Sequence, residues 1–67
     1  MNYQSWISNK VLNNEEASIS LCLLEREFGE PFAMKRISLW VNGLAKELGV
    51  KATIHMSSDV VTFYPKV

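Results

Sequence analysis

His55 and Cys22 are the single histidine and the single cysteine of the chain, and they have the most versatile side-chain chemistry. Such residues serve as metal ligands, or as the base and nucleophile of a hydrolytic site. Zinc sites are built from close pairs of these ligands, and neither residue has a second histidine or cysteine nearby. Cys22 falls inside a predicted helix, where a free cysteine usually acts as a small apolar residue. The sequence therefore predicts neither a metal site nor a catalytic cysteine.

Glu25, Glu27 and Glu30 form a cluster of carboxylates near the end of the first predicted helix, around Arg26. Two carboxylates can act as acid and base when a pocket drives their pKa values apart. Charged groups on a solvated helix face normally stay exposed, so we expect a charged rim here. The sequence also lacks a glycine-rich phosphate loop and a supported Ser/His/Asp arrangement. We therefore expect a protein that is not an enzyme and that uses no cofactor.

Size and composition indicate one small domain over residues 1–67, with 48% apolar residues. A domain of this length buries only about 60% of the surface that its unfolded chain exposes. Some apolar surface is therefore expected to remain for a partner protein or for a homodimer. A single cysteine excludes an intrachain disulfide. With neither a signal peptide nor a transmembrane segment recognisable, we expect a soluble, cytoplasmic protein without a membrane partner.

Two amphipathic helices are predicted, over about residues 14–28 and 32–48. Asn13 can cap the first helix and Gly29 can end it, while Gly49 ends the second. The apolar stripe of the first helix consists of Ala17, Leu21, Leu24 and Phe28, and that of the second includes Ala33, Ile37, Trp40, Val41, Leu44 and Leu48. Gly43 inside the second helix costs about 1 kcal/mol relative to alanine, so it suggests close approach by another helix.

The C-terminal segment alternates apolar and polar residues and predicts an antiparallel β-hairpin, with arms over about 50–56 and 60–64. Matching the apolar sets places Met56 opposite Val61 and Ile54 opposite Phe63. The other face then carries Thr53, His55, Thr62 and Tyr64, with His55 half-exposed beside Tyr64. Because a lone hairpin is marginal in water, it needs helices or a third strand. Residues 3–12 could be a short helix or could supply that edge strand.

The predicted fold is therefore α+β, with two helices packed on a C-terminal hairpin. Aromatic residues are numerous for so short a chain, and interface hot spots are enriched in Trp and Tyr. We expect a non-catalytic protein–protein interaction module, such as a regulator, an inhibitor or an accessory subunit, that could also form a homodimer. The candidate partner-binding residues are Trp6, Phe32, Tyr64, His55, Thr53 and Thr62.

The alternative is a winged-helix-like DNA-binding regulator, because the order helix, helix, hairpin resembles a winged helix-turn-helix. The recognition helix would be 32–48, the hairpin would be the wing, and the contacts would be made by Lys35, Arg36, Lys46, Lys51 and Lys66. Residues 1–30 carry two basic and five acidic side chains, whereas residues 31–67 carry five basic and two acidic ones. Against DNA binding are the zero net charge and the apolar Phe32, Met34, Leu39 and Trp40 on the recognition helix.

Overall fold

The computed structural model describes residues 3–65 and has an α+β fold, as predicted. Its elements in chain order are α1 (Tyr3–Leu12), β1 (Ala17–Ser20), α2 (Leu21–Phe28), α3 (Ala33–Leu48), β2 (Ala52–His55) and β3 (Val60–Phe63). The three strands form one antiparallel sheet in the order β1-β3-β2. The hairpin therefore obtains its third strand from the first third of the chain.

The N-terminal segment is the short helix of the two alternatives left open by the sequence. Ile7 and Val11 lie four residues apart and are buried, so α1 covers the core with one face. Lys10 lies in the last turn, where the helix dipole favours a positive charge. Its ammonium group is 5.6 Å from the centre of the Trp6 ring and 3.9 Å from a carboxylate oxygen of Glu15.

The predicted helix over 14–28 is wrong in its first half, because residues 17–20 form β1 and α2 begins only at Leu21. Ala17 and Ile19 are buried while Ser18 is exposed, which is the alternation of a half-buried strand. Asn14 has a left-handed φ of 59°, a conformation that asparagine tolerates and that a helix does not contain. Ser20, and not Asn13, is the residue that precedes α2.

The second predicted helix is confirmed as α3, with Gly49 in the left-handed conformation just after its end. The Gly49 N–H donates to the carbonyl of Ala45, which satisfies a terminal helix carbonyl. The expected close approach of another helix at Gly43 does not occur, since an added Cβ there would meet no atom within 4 Å. The glycine faces open space instead.

The hairpin has the predicted faces but a register shifted by two residues. Ile54 pairs with Val61, and Ala52 pairs with Phe63, so the turn comprises residues 56–59 and Met56 is exposed rather than turned inward. A shift of two keeps every paired side chain on its face, which is why the pattern alone could not distinguish the registers. The first arm also begins later than predicted, because the Val50 N–H donates to the Ala45 carbonyl at the end of α3.

The core lies between the inner face of the sheet and the three helices. Its largest fully buried side chains are Phe63, Ile7, Leu24, Ile37, Val41 and Val61. Trp40 packs between two other aromatic rings, with ring centres 5.6 Å from Phe28 and 6.1 Å from Phe63. These contacts fix which side of α3 is buried and therefore which side is presented to solvent.

Replacing Leu44 by alanine is expected to lower the free energy of unfolding by about 2–5 kcal/mol, because this leucine is buried against the core. Leu39→Ala is the matched control on the same helix and should change it by less than about 0.5 kcal/mol, since Leu39 is exposed. Urea denaturation followed by Trp fluorescence measures both values. Equal losses for the two variants would contradict this orientation of α3.

Candidate functional site

The outward side of α3 carries a line of exposed residues, Lys35, Leu39, Asn42 and Lys46, which we call the α3 stripe. Their spacing of i, i+4, i+7 and i+11 places them on one face of the helix. The opposite side carries the buried Ile37, Val41 and Leu44. The stripe is thus positioned by the same packing that holds α3 on the core.

The four side chains of the α3 stripe make no hydrogen bond or ion pair with any residue in 3–65. Leu39 is 67% exposed in the middle of this line. An exposed leucine does not stabilise a folded monomer, and Asn42 is a poor helix former. The stripe therefore has hydrogen-bonding groups, apolar surface and positive charge that make no stabilising contact within residues 3–65.

Gly43 lies beside the α3 stripe and is also exposed. A glycine in a helix interior costs about 1 kcal/mol, and no neighbouring atom requires its small size. A glycine at such a position permits close approach of a ligand or of another chain.

Of the five lysine and arginine residues predicted as phosphate contacts, the structure brings only Lys35 and Lys46 onto the stripe. Arg36 flanks it, and its Nη1 donates to the carbonyl oxygen of Phe28 at 3.2 Å, which ties the end of α2 to the start of α3. Lys51 is exposed just before β2. Lys66 lies outside the described residues.

Charge is unevenly distributed over the described chain. Residues 33–65 carry the basic Lys35, Arg36, Lys46 and Lys51 and the acidic Glu47 and Asp59. Residues 3–32 carry two basic and five acidic side chains. The C-terminal half of the described sequence, which contains the α3 stripe, is therefore the positive one.

The polar residues predicted on the outer face of the sheet do share that face. Thr53 and His55 share a hydrogen bond of 2.8 Å between Oγ1 and Nε2, and the Tyr64 hydroxyl lies 3.4 Å from the same Thr53 oxygen. Thr62 is only 7% exposed, and its hydroxyl shares a hydrogen bond of 3.1 Å with that of Ser18. Thr62 is therefore buried and joins β3 to β1, whereas His55 is exposed and not half-exposed as predicted.

The predicted aromatic patch is divided among different elements. Trp6 lies on α1, and Tyr64 follows β3. Phe32 is 69% exposed between α2 and α3, and its left-handed φ of 68° is unusual for a bulky residue. The three candidates therefore belong to three different segments of the chain.

A cleft of about 190 Å³ lies where α1, β1 and α2 meet, and Trp6 is the only predicted partner-binding residue in its lining. The lining residues are Tyr3, Trp6, Ser18, Ile19, Ser20 and Leu23. Sequence reasoning missed this cleft because it placed residues 17–20 in a helix. The alternation of Ala17-Ser18-Ile19-Ser20 was the signal that could have revealed it.

Cys22 is exposed at the start of α2, which corrects the expectation that it acts as a small apolar residue beside the helix stripe. Within residues 3–65, no group of three or more His, Cys, Asp and Glu side chains is arranged to hold a metal ion. None of the helices described here is both long and apolar enough to cross a bilayer. The chain matches no protein-family model, no curated protein and no solved structure.

Gly43→Ala is expected to raise the free energy of unfolding by about 0.5–1 kcal/mol, because the added methyl group meets open space and alanine favours the helix. Gly29→Ala is the contrasting variant. It should lower stability, since Gly29 has φ 71° and ψ 161°, a region essentially restricted to glycine. Thermal and urea denaturation of both variants test the pair. A destabilised Gly43→Ala protein would show that the free fold needs this glycine.

Proposed function

We propose that this protein binds duplex DNA, with the α3 stripe facing the major groove. The observation that carries the proposal is the order of the elements. Helix, strand, helix, helix, strand, strand, with the sheet order β1-β3-β2, is the arrangement of a winged helix-turn-helix domain. In that arrangement α2 and α3 are the helix-turn-helix, and the β2–β3 hairpin is the wing.

The connection between α2 and α3 supports this assignment. Four residues, 29–32, join the two helices, and helix-turn-helix motifs use a short turn that often contains glycine. The second helix of such a motif lies in the major groove. With 16 residues, α3 is about 24 Å long at a rise of about 1.5 Å per residue, which is ample for a groove about 12 Å wide.

The positions of the lysines suit the two sides of a groove. Lys35 and Lys46 are eleven residues apart, which corresponds to about 16 Å along the helix axis. They bracket Leu39 and Asn42, so the ends of the α3 stripe can contact phosphates while its centre faces base edges. Lys51, which precedes the wing, adds a further positive charge on this half of the chain.

The double variant Lys35→Gln/Lys46→Gln should bind a labelled duplex more weakly than the wild type. The slope of log K against log salt concentration should become shallower by about 1 per lysine removed, because fewer counterions are released. Fluorescence anisotropy across a salt series measures both effects. Lys10→Gln is the matched control, since Lys10 lies on α1 and pairs with Glu15. DNA binding that is absent, or that has the same salt slope in all three proteins, would contradict the proposal.

A second candidate function, protein binding, is favoured by the cleft at β1. This strand is at the edge of the sheet, and free edges accept strands from other chains. Trp6 and the 45% exposed Leu23 offer apolar surface beside that edge. A second copy of the chain would give a homodimer, and a different protein would make this chain a regulator, an inhibitor or an accessory subunit.

Leu23→Lys should convert a homodimer to a monomer, because it places a charge in the cleft. Leu12→Lys is the control, since Leu12 is more exposed than Leu23 and does not line the cleft. Light scattering of the three proteins gives their masses. A monomeric wild type would contradict self-association, and affinity capture with wild type and Leu23→Lys as bait would then test for a different protein partner.

A further inference from the structure

We infer that the α3 stripe recognises an A·T base pair, with Asn42 contacting the adenine and Leu39 contacting the methyl group of a thymine. This inference rests on the proposed DNA binding and adds to it the identity of the preferred sequence element. It depends on three features of the described residues: the chemistry of the two central side chains, their spacing and the open space at Gly43.

Asn42 is the uncharged polar residue of the stripe, and its side-chain amide both donates and accepts hydrogen bonds. Among residues 3–65, its side-chain amide has no hydrogen-bond partner. Adenine presents an N6 donor and an N7 acceptor in the major groove, and a carboxamide pairs with both at once. Lysine at either end of the stripe lacks an acceptor and cannot make this pair.

Leu39 supplies the apolar counterpart. The thymine methyl group is the apolar feature of the major-groove edge, and apolar side chains contact it. Leu39 is three residues before Asn42, which corresponds to about 4.5 Å along the helix axis. That distance is close to the spacing of about 3.4 Å between stacked base pairs, so both side chains can act at one pair or at adjacent pairs.

Gly43 removes the side chain that would stand next to Asn42 on the exposed side of α3. The helix backbone can therefore come nearer to the base edges there, which matters because asparagine has a short side chain. Double-stranded RNA does not offer the same surface, because its major groove is deep and narrow. The expected ligand is thus B-form DNA.

The experiment is a selection from a randomised duplex library with the full chain, followed by binding to synthetic duplexes of the selected sequence. The wild type should enrich a motif that contains an A·T pair. Asn42→Ala should lose the preference at that pair, by roughly tenfold or more in relative affinity, and should keep the rest of the motif. Replacing the adenine by 7-deazaadenine should weaken wild-type binding and leave Asn42→Ala binding unchanged.

Leu39 has its own test within the same duplexes. Uracil in place of thymine removes only the methyl group, so it should weaken wild-type binding several-fold and leave Leu39→Ala binding unchanged. Asn9→Ala is the matched control, because Asn9 is exposed on α1 away from the stripe, and it should behave as the wild type. A duplex RNA of the selected sequence should not compete.

The possible failures are distinguishable. If no duplex binds, the proposed function itself is contradicted. If the wild type binds all duplexes equally, or if the motif is the same for the wild type and Asn42→Ala, DNA binding stands and the inference about Asn42 is overturned. Unchanged binding by the wild type to the uracil duplex overturns the role of Leu39.

Discussion

The pairing of Ala17–Ser20 with Val60–Phe63 is the interaction on which the remaining structure depends. A two-stranded hairpin is marginal in water, and the third strand gives the sheet an inner apolar face wide enough for helices to cover. The pairing also determines where α2 begins. Ser20 Oγ donates to a carboxylate oxygen of Asp59, and the Leu21 N–H donates to the Asp59 carbonyl, so α2 starts directly from the sheet edge.

Once α2 is held at this edge, the position of α3 follows. The connection of four residues and the hydrogen bond from Arg36 to Phe28 keep the two helices adjacent. Trp40 then packs between Phe28 and Phe63, which buries one side of α3 and exposes the other. The outward direction of Leu39 and Asn42 is thus a consequence of core packing, although neither residue contributes to that core. Residues whose type is not explained by the stability of the fold are the ones at which a function is expected.

The sequence predicts α3 and the two faces of the hairpin well because their apolar periods extend over many residues. It misplaces residues 14–20 for a specific reason: Ala17 and Leu21 are four residues apart, so their burial fits a helical stripe as well as a strand that leads into a helix. The hairpin register fails similarly, since Met56 and Ile54 are equally acceptable opposite Val61. Leu39 shows the limit for the site. When only the sequence is known, an apolar residue such as Leu39 argues against a helix that contacts DNA. Its exposed position at the centre of the α3 stripe, between two lysines, is compatible with such a helix.

The zero net charge of the chain argues against DNA binding when only the composition is considered. This argument becomes weaker when the positions of the charged side chains in the structure are taken into account. Exposed charges are largely screened beyond about 8 Å at physiological ionic strength. The fold extends over 35 × 21 × 20 Å, so an acidic side chain more than about 8 Å from the α3 stripe acts little on a phosphate that touches the stripe. Helix α3 and the turn before it carry the basic Lys35, Arg36 and Lys46 and the acidic Glu30 and Glu47. A positive contact surface on a neutral protein gives short-range affinity without long-range attraction, and binding of that kind depends strongly on the contacts made at base edges.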